Sequence, residues 1–158
     1  MTDLALALIK HFEGWRPRLY IDVAGHATIG YGHLVRPDER TYYLGRELSP
    51  REGEDLLLQD WAKHRSEVVT MASSVPVVME RELEALTSLC FNIGPGALRG
   101  STAIRELKSG NRLGAAHAIL MWRKAGGEVR SGLVRRRHLE SIWFLGASPA
   151  TLAYYAGI

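Results

Sequence analysis

Apolar positions recur along this chain with two different periods, and the change of period divides it. Leu4, Leu8 and Phe12 fall four residues apart with Ala5 and Ile9 beside them, which predicts a helix over 3–13 with one apolar face. Gly14 is expected to close that helix from the left-handed region. From Arg18 the period shortens. Leu19 and Ile21 alternate with Tyr20, Gly25 sets a turn, and Ala27 to Tyr31 reads as a returning strand, so a small β-hairpin follows the first helix. Gly30 and Gly32 let the backbone bend sharply or approach something bulky. Pro37 and Asp38 close this region, and the stretch to Leu48 reads as an irregular or short-stranded connection.

Ser49-Pro50-Arg51-Glu52 is a capping box with proline at the first helical position, and it predicts a helix over about 50–71. Some twenty residues of helix extend roughly 30 Å, long enough to bridge two lobes. Residues 73–76 break it, and beyond Pro76 the patterns are helical only. Met79, Leu83, Leu86 and Cys90 mark one face of a helix ending near Gly94; Ser101 caps a short one ending at Gly110. Asn111 caps another running to about Lys124, and a last helix follows Gly132, with Leu139, Ile142 and Trp143 inward and Gly146 terminating it. The expected fold is α+β and predominantly helical: one domain over 1–158, with a small β lobe at about 15–48, a bridging helix at about 50–71, and a helical lobe at about 77–146 that also receives helix 3–13. The tail from Ala147 to Ile158 has no assignable pattern, and Tyr154 and Tyr155 are expected to pack on the helical lobe.

Composition adds bounds rather than a function. Apolar content of 46% and charged content of 23% are those of an ordinary globular protein. A single cysteine, Cys90, excludes an intrachain disulfide, suits a reducing compartment, and reads as a small buried side chain. The net charge of +3 suits an acidic polymer without selecting one. Leu4 to Ile9 is too short to span a bilayer and lacks the marks of a signal peptide, so neither stable membrane insertion nor self-export is expected. A monomer is the default.

Candidate chemistry gathers in Glu13 to His33. Glu13 falls where the first helix ends, Asp22 lies nine residues on, and Thr28 six further. At the negative end of the helix dipole the ionised form of Glu13 is disfavoured, and a protonated carboxyl is what a general acid needs. Glycoside hydrolysis needs such a donor on the leaving oxygen and a second carboxylate across the sugar; where that carboxylate activates water the two stand about 6.5–9.5 Å apart and the anomeric centre inverts. Asp22 on a facing hairpin suits that part, and Thr28, across the Gly25 turn, can hold the same water.

The spacing E-x8-D-x5-T followed by IGYGH resembles the phage-type lysozymes, the endolysins of glycoside hydrolase family 24. The resemblance continues in FNIGPGALRGSTAIREL at 91–107, MWRKAGGEV at 121–129 and GLVRRRHLE at 132–140, and so covers most of the chain. It implies a two-lobed, mostly helical lysozyme that cleaves the β-1,4 bond between N-acetylmuramic acid and N-acetylglucosamine of peptidoglycan, with inversion. By the family pattern Glu13 is the general acid, Asp22 positions or activates water, and Thr28 helps to hold it. Gly32, His33, Leu34 and Phe91 fall at cleft positions, Phe91 reading equally well as core, and Arg135 falls in the block where the family places an arginine near the catalytic glutamate. Ala27 departs from the aromatic residue many relatives carry there. Such an enzyme would wait in the host bacterial cytoplasm for a holin to release it to the wall.

Other readings are weaker. His26 and His33, with Asp22 between the helix and hairpin, lack the short set spacing of a hydrolytic zinc site, so no metal or cofactor is expected. His33 is expected to buttress the hairpin and His26 to be a solvated turn residue. Arg135-Arg136-Arg137 spreads around a helix rather than forming a phosphate stripe, so one arginine should face inward, two should be solvated, and nucleic acid is not an expected partner. The rival to an enzyme is a catalytically inactive module of the same fold that binds peptidoglycan or serves as a scaffold.

Overall fold

The computed structural model describes residues 1–22 and 25–158. Helix α1 (Asp3–Glu13) is capped by Thr2 and closed by Gly14, whose φ of +69° and ψ of 164° lie in a region open essentially to glycine. The chain then enters an antiparallel sheet of order β1-β2-β3: β1 (Arg16–Ile21), β2 (Ala27–Gly30) and β3 (His33–Leu34). The expected hairpin is thus three-stranded. Its last strand has two residues, too few for a period to show, and residues 23 and 24, between the first two strands in sequence, lie outside those described. Instead of an irregular link, a short helix α2 (Arg40–Tyr43) follows, and it turns Tyr43 onto Ile29, Val35 and Leu48 to make a small core beneath the sheet.

The bridging helix α3 (Pro50–Ala72) begins where the sequence places it. The Ser49 hydroxyl accepts from the Glu52 amide while the Glu52 carboxylate accepts from the Ser49 amide. Beyond it lie α4 (Glu80–Ile93), α5 (Pro95–Arg99), α6 (Thr102–Lys108), α7 (Arg112–Ile119) and α8 (Ser131–Leu145), packed around a core that includes Leu8, Ile9, Leu57, Trp61, Leu86, Leu89 and Trp143.

Two expectations for this half fail. Helix α7 stops at Ile119, and β4 (Lys124–Ala125) pairs with β5 (Glu128–Val129) across Gly126-Gly127. Both glycines have positive φ, as a two-residue hairpin turn requires, so the pair turns a hairpin rather than merely ending a helix. The tail forms α9 (Pro149–Ala156), capped by Ser148 and closed by Gly157 in the left-handed region. Leu152 and Ala156 dock it on the core; Tyr155 meets the His138 ring of α8 edge-on at 6.0 Å, while Tyr154 is 81% exposed rather than packed.

Trp15 joins the two halves. Its ring lies 4.9 Å from that of Tyr31 and rests on the backbone of α3 at buried Gly53, where a Cβ would meet ring atoms at 2.0 and 2.5 Å. Alanine for glycine at an open helix position stabilises by about 0.5–1 kcal/mol. Here the overpacked ring should reverse the sign: Gly53→Ala should lower stability by about 1–3 kcal/mol in urea unfolding. A gain in stability would show that the Trp15 ring is free to move aside.

Candidate active site

A cleft of about 720 Å³ opens where the sheet, α3 and the end of α4 meet. Glu13, Asp22 and Thr28 all line it, with Tyr20, Gly32, His33, Leu34, Asp60, His64, Phe91 and Asn92. A second hollow of about 530 Å³, beside α6 and α7, shares none of these residues, and its single carboxylate, Glu106, accepts from Asn111.

Glu13 ends α1 with its side chain 17% exposed. Its Oε1 accepts from Nη1 of Arg136 at 2.7 Å. A Cβ built on Gly32 would stand 3.1 Å from its Oε2, and Gly32 has a φ of +82°. Conformation and space therefore both require glycine there.

Arg136 is buried and reaches Glu13 from the far end of the chain. Its Nε donates to Glu140 Oε1 at 3.0 Å, its Nη2 donates to the carbonyl of Ser88 at 3.2 Å, and its guanidinium carbon stands 4.9 Å from the Phe12 ring centre. Glu140, wholly buried, also accepts from the Ser88 hydroxyl at 2.6 Å and from Arg137 Nη2 at 3.0 Å. Its Oε2 stands 2.8 Å from Arg137 Nε, an ion-pair separation without hydrogen-bond alignment. Two arginines thus face two carboxyl groups in one cluster spanning α1, α4 and α8. Burial alone would lower the Arg136 pKa, but Glu13 and Glu140 outweigh it and raise it. For Arg137 burial wins, bringing it down to about 10.

Two expectations are corrected: two arginines rather than one face inward, and the arginine beside Glu13 is Arg136 rather than Arg135. Arg136 and Arg137 are buried; Arg135 is exposed and lines a side groove with His11 and Arg130. Helical phase explains the miss. Ile142 and Trp143 were both assigned inward; seven residues back, the first leads to Arg135 and the second to Arg136. Ile142 is only half-buried and Trp143 fully so, and the pairing of Arg136 with Glu140 at i,i+4 was the sequence signal that separates the two.

Asp22 lies just beyond β1. Its Oδ1 accepts from the His26 amide at 2.8 Å, and its own amide donates to the His26 carbonyl at 2.9 Å. The Thr28 hydroxyl, 3% exposed, donates to that same carbonyl at 3.2 Å. His26 is exposed, as a turn residue should be, though its backbone organises both neighbours.

His33 braces the sheet from β3 by hydrogen bonding, with α3 as its partner. Its Nδ1 donates to Asp60 Oδ2 at 2.6 Å, tying β3 to α3. Burial pushes the Asp60 carboxyl up, but the bond and charge of His33, with Lys63, outweigh it and hold the pKa below its usual value. Leu34 stands 56% exposed on the rim. Phe91 fulfils both of its readings, lining the cleft and packing against the helical core. Asp60, Tyr20, His64 and Asn92 were not singled out from sequence, because no local motif marks them.

A helical lobe joined by a long helix to a small antiparallel sheet, with a polar cleft between, is the lysozyme-like α+β fold. A sequence model of the phage lysozyme family matches residues 10–140, and the chain belongs to that family. It is 34% identical over 145 residues to an endolysin of Salmonella phage P22, spanning 90% of this chain and 97% of that protein. Against an endolysin of Bacillus phage B103 it is 34% identical over 147 residues, covering 92% of this chain and 54% of that one, so it spans about half the length of that relative. The solved endolysin from Escherichia coli O157:H7 phage FAHEc1 superposes with a TM-score of 0.77 at 32% identity, covering 93% of this chain and 94% of that one.

Half-buried His64 lies at the cleft floor, its Nδ1 3.6 Å from the Sγ of buried Cys90 and its ring 5.2 Å from Phe91. Burial pushes the Cys90 thiol up to about 11, which makes it inert, and lowers the His64 pKa below 6.5. A depressed folded pKa means that the unfolded chain binds the proton more tightly. The stability His64 allows is therefore fully present above about pH 6.5 and is lost as pH falls through its folded value. The urea midpoint should drop from pH 7 to 5, and His64→Gln should flatten that slope; an unchanged slope would show that His64 is not desolvated.

Proposed function

We propose that this chain is an endolysin: a muramidase that hydrolyses the β-1,4 bond between N-acetylmuramic acid and N-acetylglucosamine in peptidoglycan, with inversion, during host lysis. The observation that carries this reading is the meeting of Glu13, Asp22 and Thr28 in one cleft, from a helix end and a hairpin. The family and the printed names of its relatives support it.

Glu13, held through Oε1 by Arg136, gives the proton on its other oxygen to the glycosidic oxygen as the C1–O bond breaks. Water attacks C1 from the opposite face, and Asp22 takes its proton. The Thr28 hydroxyl has one hydrogen, already donated to the His26 carbonyl, so toward water it is an acceptor. With both hydrogens of the water directed at Asp22 and Thr28, an oxygen lone pair is left for the anomeric carbon. Gly32, His33, Leu34 and Phe91 form sugar-contacting walls, while Arg136, rather than Arg135, orients the acid. The enzyme waits in the host cytoplasm and a holin admits it to the periplasm; among the described residues no helix is long and apolar enough to cross a membrane.

The test is turbidity loss of outer-membrane-permeabilised Gram-negative cells. Wild type should clear them, and Glu13→Gln should be slower by at least the roughly 10²–10⁴-fold usual for losing a general acid. Equal clearing by both proteins would mean that lysis is not enzymatic. Clearing by neither, with glycan binding intact, would favour an inactive binding module. Lysis on expression alone, without permeabilisation, would remove the holin from the account.

A further inference from the structure

We propose that Tyr20 contacts the substrate in this cleft, its phenol O–H donating a hydrogen bond to the sugar at the cleavage site. The inference rests on the muramidase reading and adds a residue to it. A sugar unit with hydroxyl and acetamido groups needs neutral donors around it, and several donors of this cleft are already engaged. His33 Nδ1 and Lys63 Nζ both serve Asp60, Arg36 serves Glu39, and the Thr28 hydroxyl serves the His26 carbonyl. Tyr20 lines the same cleft, and its hydroxyl makes no hydrogen bond to any described residue.

The sheet decides where that hydroxyl stands. Tyr20 lies directly opposite Thr28 in the β1–β2 register, and opposed residues of an antiparallel pair share a face, with Cβ atoms about 4.5–5.5 Å apart. Strand alternation puts position 22, two residues on, toward the same side. Between Arg16 and Tyr20 the β1–β2 register shifts, and Arg18, on the far side of Leu19, pairs outward with Glu47. Tyr20 is therefore flanked by the two residues proposed to hold the water. The carboxylates whose charge reaches its phenol are Glu13 and Asp22, one from each side of the proposed reaction. Burial first, then those carboxylates, push its pKa above 10, so the group remains an O–H donor at any pH at which walls are cut. It is also uncharged, so it can lie beside positive charge developing at C1 without opposing it.

Tyr20→Phe tests this, because it keeps the ring and forfeits no bond within the protein. Release of reducing ends from purified peptidoglycan should show kcat/KM falling about three- to tenfold, the size of one neutral hydrogen bond. The thermal midpoint and the shape of the pH–rate profile should match wild type. A kcat/KM equal to wild type would overturn the proposal, and so would a fall accompanied by a matching loss of thermal stability, which would make Tyr20 structural. Release of no reducing ends by wild type would instead overturn the muramidase reading, and the role of Tyr20 with it.

Discussion

The interaction on which this structure turns is the cluster of Arg136, Arg137 and Glu140 with Glu13. Taking charges out of water costs several kcal/mol per ion, and the cost is recovered only where each charge has a partner and its remaining polar atoms are satisfied. Here Glu140 Oε1 accepts from two arginines and a serine, and Arg136 spends its three nitrogens on Glu140, the Ser88 carbonyl and Glu13. Arg137 Nε and Nη1 and Glu140 Oε2 make no hydrogen bond among the described residues, so the cost is recovered only in part. Such clusters are poor sources of net stability, since apolar side chains of the same volume often do better. What this one supplies is position. A guanidinium is planar and presents its donors in a fixed fork, so fixing two of its nitrogens inside α8 and α4 fixes where the third points.

That constraint connects ends of the chain far apart in sequence. Glu13 closes the first helix and Arg136 sits in the eighth, so their contact ties the end of α1 to the helical lobe at Glu13. Opposite it, the backbone of one residue, His26, engages both Asp22 and Thr28, its amide donating to the Asp22 carboxylate and its carbonyl accepting from the Thr28 hydroxyl. Gly32 completes the arrangement by leaving room for Glu13 where any other residue would intrude. The cleft is thus defined by three local solutions, a helix end, a wired turn and a glycine gap, held in common by a buried ionic cluster and by Trp15 against Gly53.

What could be read from sequence follows the range of the forces involved. Helix starts are set within four residues, so the cap at Ser49 and the opening of α3 were legible. The same Ser-Pro cap at Ser148 went unused, because Leu152 and Ala156 gave too little period to show that the tail docks. Gly126-Gly127 was read as a stop although two adjacent glycines are also a hairpin turn, and only the pairing of β4 with β5 separates the two. Glu13, Asp22 and Thr28 stand out in the sequence because they share one short stretch, and all three line one cleft. Arg136, Asp60 and Tyr20 were not, because what singles them out is a partner or a face supplied by tertiary packing: α8 phase for Arg136, His33 for Asp60, and the β1–β2 register for Tyr20.

The central claim is that a carboxylate which never reaches the cleft governs the geometry of one that does. The direct measurement is steady-state peptidoglycan hydrolysis by Glu140→Gln, on protein whose near-ultraviolet circular dichroism matches wild type. Neutralising Glu140 removes the charge that anchors Arg136 while leaving every cleft side chain unsubstituted, and misplacement of a catalytic group by about 1 Å can cost on the order of a hundredfold. The account predicts kcat lower by more than about tenfold with KM nearly unchanged, the mark of an interaction realised in the transition state. A folded Glu140→Gln protein with the kcat of wild type would contradict it, and would mean that Glu13 finds its position without the cluster beneath it.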